Sequence, residues 1–131
     1  MRVMQSQKTT TVYLVDDSDS IRERVISMLS SVPGIAIAGE AKTAADAIEG
    51  ILAAHPDSVL LDLNLASGTG IEVLTTVRRQ LPAIKFVVLT NHAETQYRNA
   101  CTKAGASYFL DKSCDFDRVP DVIAEIAATR H

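Results

Sequence analysis

The sequence contains no tryptophan, few other aromatic residues (three Phe, three Tyr), and only two cysteines among 131 residues. Cys101 and Cys114 have no second pair and no histidine at metal-ligand spacing. That pattern suits reduced thiols in a cytosolic protein rather than a disulfide framework or a zinc site. Positive charge is also scarce: 13 Lys and Arg face 16 Asp and Glu, a net charge of −3, which argues against a nucleic-acid-binding surface. No apolar run approaches the roughly 18 residues of a membrane span. The stretch from Met1 to Thr11 carries Arg2 and Lys8 but no apolar core of a signal peptide, so the expected location is cytoplasmic. With 6 Gly and 4 Pro, the composition is neither collagen-like nor disordered.

What is present is one domain's worth of ordinary globular sequence, 47% hydrophobic and 22% charged. A chain of this size buries roughly two-thirds of its unfolded surface and needs neither disulfides nor a structural metal. The expected division is an N-terminal arm, residues 1–10, and a single domain, residues 11–131.

Two periodicities alternate along that domain. Short apolar runs at Thr11–Val15, Ile35–Ala38, Ser58–Leu61, Lys85–Leu89 and Ser107–Leu110 read as strands. Between them lie helical stripes: Ile21, Val25, Met28 and Leu29; then Ala44, Ala47, Ile48, Ile51 and Leu52; then Ile71, Leu74 and Val77. Tyr97, Ala100, Cys101 and Ala104 mark a fourth, and Val119, Val122, Ile123 and Ile126 a fifth. Pro33-Gly34 and His55-Pro56-Asp57 punctuate the ends of the first two helices. Thr43, three residues before Asp46, resembles a capping box, and Gly105 sits where a left-handed C-terminal residue is expected. Pro120 belongs in the first turn of a last helix beginning near Asp117. Strand runs that are continuous rather than alternating imply helices on both sheet faces. The predicted fold is α/β: a flavodoxin-like (βα)5 doubly wound parallel sheet of order 2-1-3-4-5.

Such sheets bind ligands beyond the carboxyl ends of their strands. The first strand ends in Asp16-Asp17, the third in Asp62, the fourth in Thr90 and the fifth in Asp111-Lys112. Singly these have ordinary explanations: helix caps for the Asp pair, a strand end for Thr90, a solvated loop for Lys112. Together, at one edge of one sheet, they define a chemistry. Two carboxylates about 4 Å apart repel by roughly 4 kcal/mol at an effective dielectric near 20. One of Asp16, Asp17 and Asp62 should therefore have a raised pKa, or the set should hold a cation or have Lys112 close by. An oxygen-only donor set suits Mg²⁺, and Mn²⁺ could substitute. Carboxylate, divalent cation, ammonium and hydroxyl are the parts needed to carry a phosphoryl group on Asp62.

The segments VDDS (15–18), LLDLNL (60–65), VVLTNH (87–92) and YFLDKS (108–113) resemble the receiver domain of bacterial response regulators, in order and over nearly the whole chain. The resemblance implies that Asp62 accepts phosphate from the phosphohistidine of a sensor histidine kinase or phosphotransfer protein. It implies Mg²⁺ ligation by Asp17, Asp62 and the backbone carbonyl of Asn64, with Asp16 helping through water. Lys112 would pair with the phosphoryl group, Thr90 would move to hydrogen-bond it, and Phe109 would swing inward as the switch aromatic. Taken alone, Phe109 is a core aromatic and His92 a helix-start residue; in the family, the positions of Asn64 and His92 tune the hydrolytic water. Output would pass through the surface of the fourth helix, fifth strand and fifth helix, including Tyr97, Arg98, Tyr108 and Arg118, to a downstream protein target. The expected state is a monomer or weak dimer without nucleic-acid or membrane contact.

Two positions depart from the family. Ala66 stands where proline is usual, which predicts a somewhat more mobile loop, and Ser113 follows Lys112 in place of a cis-proline, which predicts a trans 112–113 bond. A stand-alone regulator is the expected organisation, with a receiver from a longer regulator or a phosphorelay shuttle as alternatives. The protein is expected to catalyse only its own phosphorylation and dephosphorylation. A phosphohydrolase of the haloacid-dehalogenase type would need an acid two residues beyond the nucleophile, where Asn64 cannot serve. A flavin carrier would need a phosphate cradle where Asp16, Asp17 and Asp19 repel anions.

Overall fold

In a computed structural model, which describes residues 9–129, strands and helices alternate five times. The elements are β1 (Thr10–Val15), α1 (Asp19–Leu29), β2 (Ile35–Ala41), α2 (Ala44–Ala54), β3 (Ser58–Leu61), α3 (Gly70–Gln80), β4 (Lys85–Thr90), α4 (Thr95–Ala104) and β5 (Tyr108–Asp111). A 3-10 turn at Phe116–Arg118 runs directly into α5 (Val119–Thr129), leaving Pro120 in the first turn. The strands form one parallel sheet of order β2-β1-β3-β4-β5, the flavodoxin-like arrangement predicted from the strand runs. Residues 1–8 of the expected N-terminal arm lie outside the described residues, and β1 takes in Thr10. Among the described residues, no helix is long and apolar enough to cross a membrane.

Alternation along the strands divides the core between the two faces of the sheet. Val12 and Leu14 of β1, Leu60, Val87 and Leu89 pack against Val25 and Leu29 of α1 and Val122, Ile123 and Ile126 of α5. Tyr13 and Val15, with Val59, Leu61 and Phe86, pack against Ala47 and Ile51 of α2 and Val73, Leu74 and Val77 of α3. Each fully buried aliphatic or aromatic side chain contributes about 1.5–3 kcal/mol. Ser18, Thr43 and Thr69 cap α1, α2 and α3, each hydroxyl accepting the amide of the residue three positions on. Gly105 closes α4 with φ 107°, the left-handed conformation expected of it.

Three elements differ from their sequence reading. β2 continues to Ala41 rather than stopping at Ala38, across a register shift at Val12/Tyr13. Gly39 and Glu40 hide that continuation from a reading based on apolar runs. In α3 the buried row is Val73, Leu74 and Val77, whereas Ile71 is only half-buried. In α4 only Cys101 is buried; Tyr97 is 39% exposed and Ala100 is exposed as well.

Candidate functional site

The carboxyl ends of β1 and β3 lie side by side, and each delivers an aspartate directly after its last core residue. Asp16 and Asp62 are 5% and 6% exposed, whereas Asp17, one residue further into the β1–α1 turn, is exposed. One carboxylate oxygen from each of the three lies within 4.8 Å of the others. Lys112 reaches over from the end of β5, and its Nζ lies 2.8 Å from Asp16 Oδ2 and 2.8 Å from Asp62 Oδ2. The remaining oxygens are held by the backbone: Asp62 Oδ1 accepts the Leu63 N–H at 2.7 Å, and Asp16 Oδ1 accepts the Ser18 N–H at 2.9 Å.

Burial and the neighbouring charges together set the titration of Asp16 and Lys112. Burial pushes the Asp16 carboxyl above its ordinary value, against the lowering effect of hydrogen bonds from Lys112 and Ser18. Burial also pulls Lys112 down, but hydrogen bonds and attraction from Asp16 and Asp62 outweigh it, so its pKa is raised and the ammonium stays charged. A simple ion pair would lower its acid. Asp16 moves the other way because its burial outweighs those bonds, with the Asp62 charge adding a smaller push; one ammonium shared by two buried carboxylates still leaves negative charge in surplus.

That surplus, an oxygen-only donor set and one exposed carboxylate beside open space fit a hard dication that keeps several waters. The space is a cleft of about 480 Å³, whose walls include Asp17, Asp62, Asn64, His92, Lys112 and Phe116. Across its mouth the Asn64 amide and His92 Nε2 are in hydrogen-bond contact. The His92 ring also lies 5.3 Å from that of Tyr97.

Thr90 and Phe109 are engaged elsewhere. Thr90 is fully buried, and its hydroxyl accepts the His92 N–H at 3.2 Å. Phe109 is half-buried beside Leu63, Val88 and Cys101, with the Arg98 guanidinium 4.5 Å from its ring centre. The structure thus brings Asp16, Asp17, Asp62 and Lys112 together, holds Asn64 and His92 at the rim, and keeps Thr90 and Phe109 on adjoining strands.

Both departures from the family pattern have structural consequences. The loop after Asp62, expected to be somewhat more mobile for want of a proline, makes two backbone hydrogen bonds to the segment where β2 passes into α2. Ala66 N–H donates to the Lys42 carbonyl at 2.9 Å, a bond that proline cannot make, and Ala44 N–H donates to the Ser67 carbonyl at 2.8 Å. Gly70 completes the closure, since a Cβ there would lie 2.2 Å from the Asp62 carbonyl oxygen. The 112–113 bond is trans, and both Ser113 N–H and Ser113 Oγ donate to Asp111 Oδ1, at 2.8 and 2.6 Å.

Two residues near the site escaped the sequence reading. Phe116 is 7% exposed and forms part of the cleft wall, with Arg24 stacked 4.2 Å from its ring centre. Arg22 is 8% exposed beneath the β1–α1 turn. Its signal was its place on the face shared by Val25 and Leu29, where an apolar residue is expected.

The sequence model of the response regulator receiver domain matches residues 12–124, and the chain belongs to that family. Among curated proteins it is similar to the DNA-binding transcriptional activator DevR/DosR of Mycobacterium tuberculosis, 29% identical over 119 residues, covering 91% of this chain and 55% of that protein. The chain therefore spans just over half the length of that relative. Among solved structures it is similar to a two-component response regulator of the LuxR family from Aurantimonas sp. SI85-9A1, at 30% identity and a TM-score of 0.83, covering 92% of this chain and 87% of that one. The signal receiver domain of the response regulator NarL from Mycobacterium tuberculosis matches at 27% identity and a TM-score of 0.84, covering 92% and 98%.

Proposed function

We propose that this receiver is a phosphorylation switch whose phosphoacceptor is Asp62. The observation that carries the reading is the Lys112 ammonium shared between the buried Asp16 and Asp62 carboxylates at the floor of an open cleft. A carboxylate oxygen of Asp62 attacks the phosphorus of a phosphohistidine in line. The P–N bond breaks, its electron pair leaves with the imidazole, and an acyl phosphate remains on Asp62. Asp17, Asp62 and the Asn64 backbone carbonyl would hold Mg²⁺, with Asp16 assisting through water. When bound, that ion draws negative charge from the phosphoryl oxygens.

Lys112 serves the same end from the other side, moving from its two carboxylates to the phosphoryl group. Thr90 turns its hydroxyl proton toward the new oxygens, and Phe109 follows inward, leaving its stack with Arg98. The α4, β5 and α5 surface, with Tyr97, Arg98, Tyr108 and Arg118, then changes. A downstream protein responds to the extent that it binds the two forms differently. Asn64 and His92, in contact across the mouth, govern the water that later hydrolyses the acyl phosphate. The upstream partner is a histidine kinase or phosphotransfer protein, and this domain itself contacts no nucleic acid.

Incubation with acetyl phosphate, with and without Mg²⁺, followed by intact mass tests the proposal. The expected result is a phosphoryl adduct that requires Mg²⁺ and disappears in Asp62→Asn. An unmodified wild-type chain across several donor concentrations overturns it.

A further inference from the structure

Arg22 is a buried cation in the first turn of α1, a costly arrangement unless its guanidinium is well matched. It is matched on three sides. Nε donates to Glu40 Oε1 at 2.9 Å, Nη2 donates to Asp19 Oδ1, and Nη1 donates to the backbone carbonyl of Asp16. The two carboxylates are partly exposed, with side-chain exposures of 65% for Asp19 and 42% for Glu40. Water could serve them; the Asp16 carbonyl is the buried acceptor, and it distinguishes this cluster from a surface salt bridge.

That carbonyl belongs to the peptide unit joining Asp16 to Asp17. The orientation of this plane sets the backbone angles on either side of it, and hence the direction in which both carboxylates leave the chain. On the other flank the Asp16 N–H is held by the Ala41 carbonyl at 3.1 Å. A planar fork that engages β2, the start of α1 and the Asp16–Asp17 peptide at once is a brace with one geometry. Lysine, with a compact ammonium on a flexible stem, cannot reproduce it.

The geometry points to Arg22 as a positioning residue for the cation site: it holds the Asp16–Asp17 peptide so that the two carboxylates converge with Asp62. The inference rests on the proposed reading of the site as one that takes Mg²⁺. Partners that orient metal ligands from behind typically contribute about 10–100-fold to metal affinity. Arg22→Lys, which keeps the charge and loses the fork, is therefore expected to weaken Mg²⁺ binding about tenfold, and Arg22→Met at least as much.

The experiment is a MgCl₂ titration of the full chain followed by amide NMR shifts, with the thermal midpoint of each variant measured alongside. Mg²⁺ affinity that falls about tenfold in a folded Arg22→Lys supports the inference. A lower midpoint with Mg²⁺ affinity within about twofold of wild type overturns it, because Arg22 then stabilises the fold without aiming the ligands. Full affinity in Arg22→Lys with loss in Arg22→Met also overturns it, since charge alone would then be responsible. Should Arg22→Lys not fold, Glu40→Gln removes one prong's charge from a half-exposed position. A two- to threefold loss is expected there, and no loss overturns the inference. A wild-type chain that binds no Mg²⁺ overturns the proposed function as well, whereas wild-type binding unaffected by these changes overturns the Arg22 inference alone.

Discussion

Helices α3 and α4 lie on the same side of the sheet and differ by one residue in length, 11 against 10, yet they are fastened very differently. α3 places Val73, Leu74 and Val77 in the core with no exposure, is capped by Thr69, and begins at a glycine pressed against the Asp62 carbonyl. α4 contributes one buried side chain, Cys101, and its N-cap, Glu94, makes no side-chain capping bond. The helix that follows the proposed phosphoacceptor is anchored, and the helix on the proposed output surface is held lightly. Low local stability is what a moving element requires. The division places rigidity where the carboxylates must converge and compliance where a partner would read the result.

The largest test of this contrast is Leu74→Ala, expected to lower the unfolding free energy by about 3 kcal/mol in a urea titration. A loss below about 1 kcal/mol would mean that α3 is no better anchored than α4. Next, amide hydrogen exchange is expected to be about tenfold or more faster in α4 than in α3; equal protection would dissolve the comparison. Thiol chemistry reports on the same opening. Burial pushes the Cys101 thiol up, and Cys114 is raised by partial desolvation and the nearby Asp111 and Asp115 carboxylates. Both thiols therefore carry less thiolate near neutrality than a free thiol. Exposed Cys114 is expected to be alkylated first, and Cys101 only as α4 opens, which peptide mass mapping over time distinguishes.

Cys101→Ala is expected to cost about 1 kcal/mol, well short of the effect at Leu74. The smallest change runs the other way. Glu94→Ser supplies the missing cap and should stabilise the chain by about 0.5–1 kcal/mol. If α4 must move, the same variant should also slow the conformational response to acetyl phosphate.

The five strands were legible because their runs are apolar and bounded by charge, Pro or Gly. The candidate site was legible for a related reason: Thr90 ends β4, Asp16, Asp62 and Lys112 each stand just past a strand, and parallel topology gathers strand ends. What periodicity could not show was anything that depends on a partner element. Arg22 occupies an apolar position, but only the nearby Asp16 carbonyl, Asp19 and Glu40 explain its burial. Tyr97 and Ala100 have helical spacing, yet nothing from the sheet covers them. Ala66 read as a lost proline because its gain, an amide free to bond the Lys42 carbonyl, lies in another loop. Gly39 and Gly50 likewise owe their fit to a partner element, the Tyr13 side chain.

Those two glycines share a single cause. A Cβ at Gly39 would come within 2.5 Å of Tyr13 Cε2, and one at Gly50 within 2.0 Å of the Tyr13 hydroxyl oxygen. Three positions in β1, β2 and α2 therefore form one evolutionary unit whose substitutions are not interchangeable in order. Gly50→Ala, which in an open helix would gain about 1 kcal/mol, is blocked while the tyrosine remains. The same step becomes accessible once residue 13 has become a smaller side chain such as valine. A lineage crossing this surface has to give up the ring first, so the history of β1, an inner strand, constrains the choices open to a helix it does not adjoin in sequence.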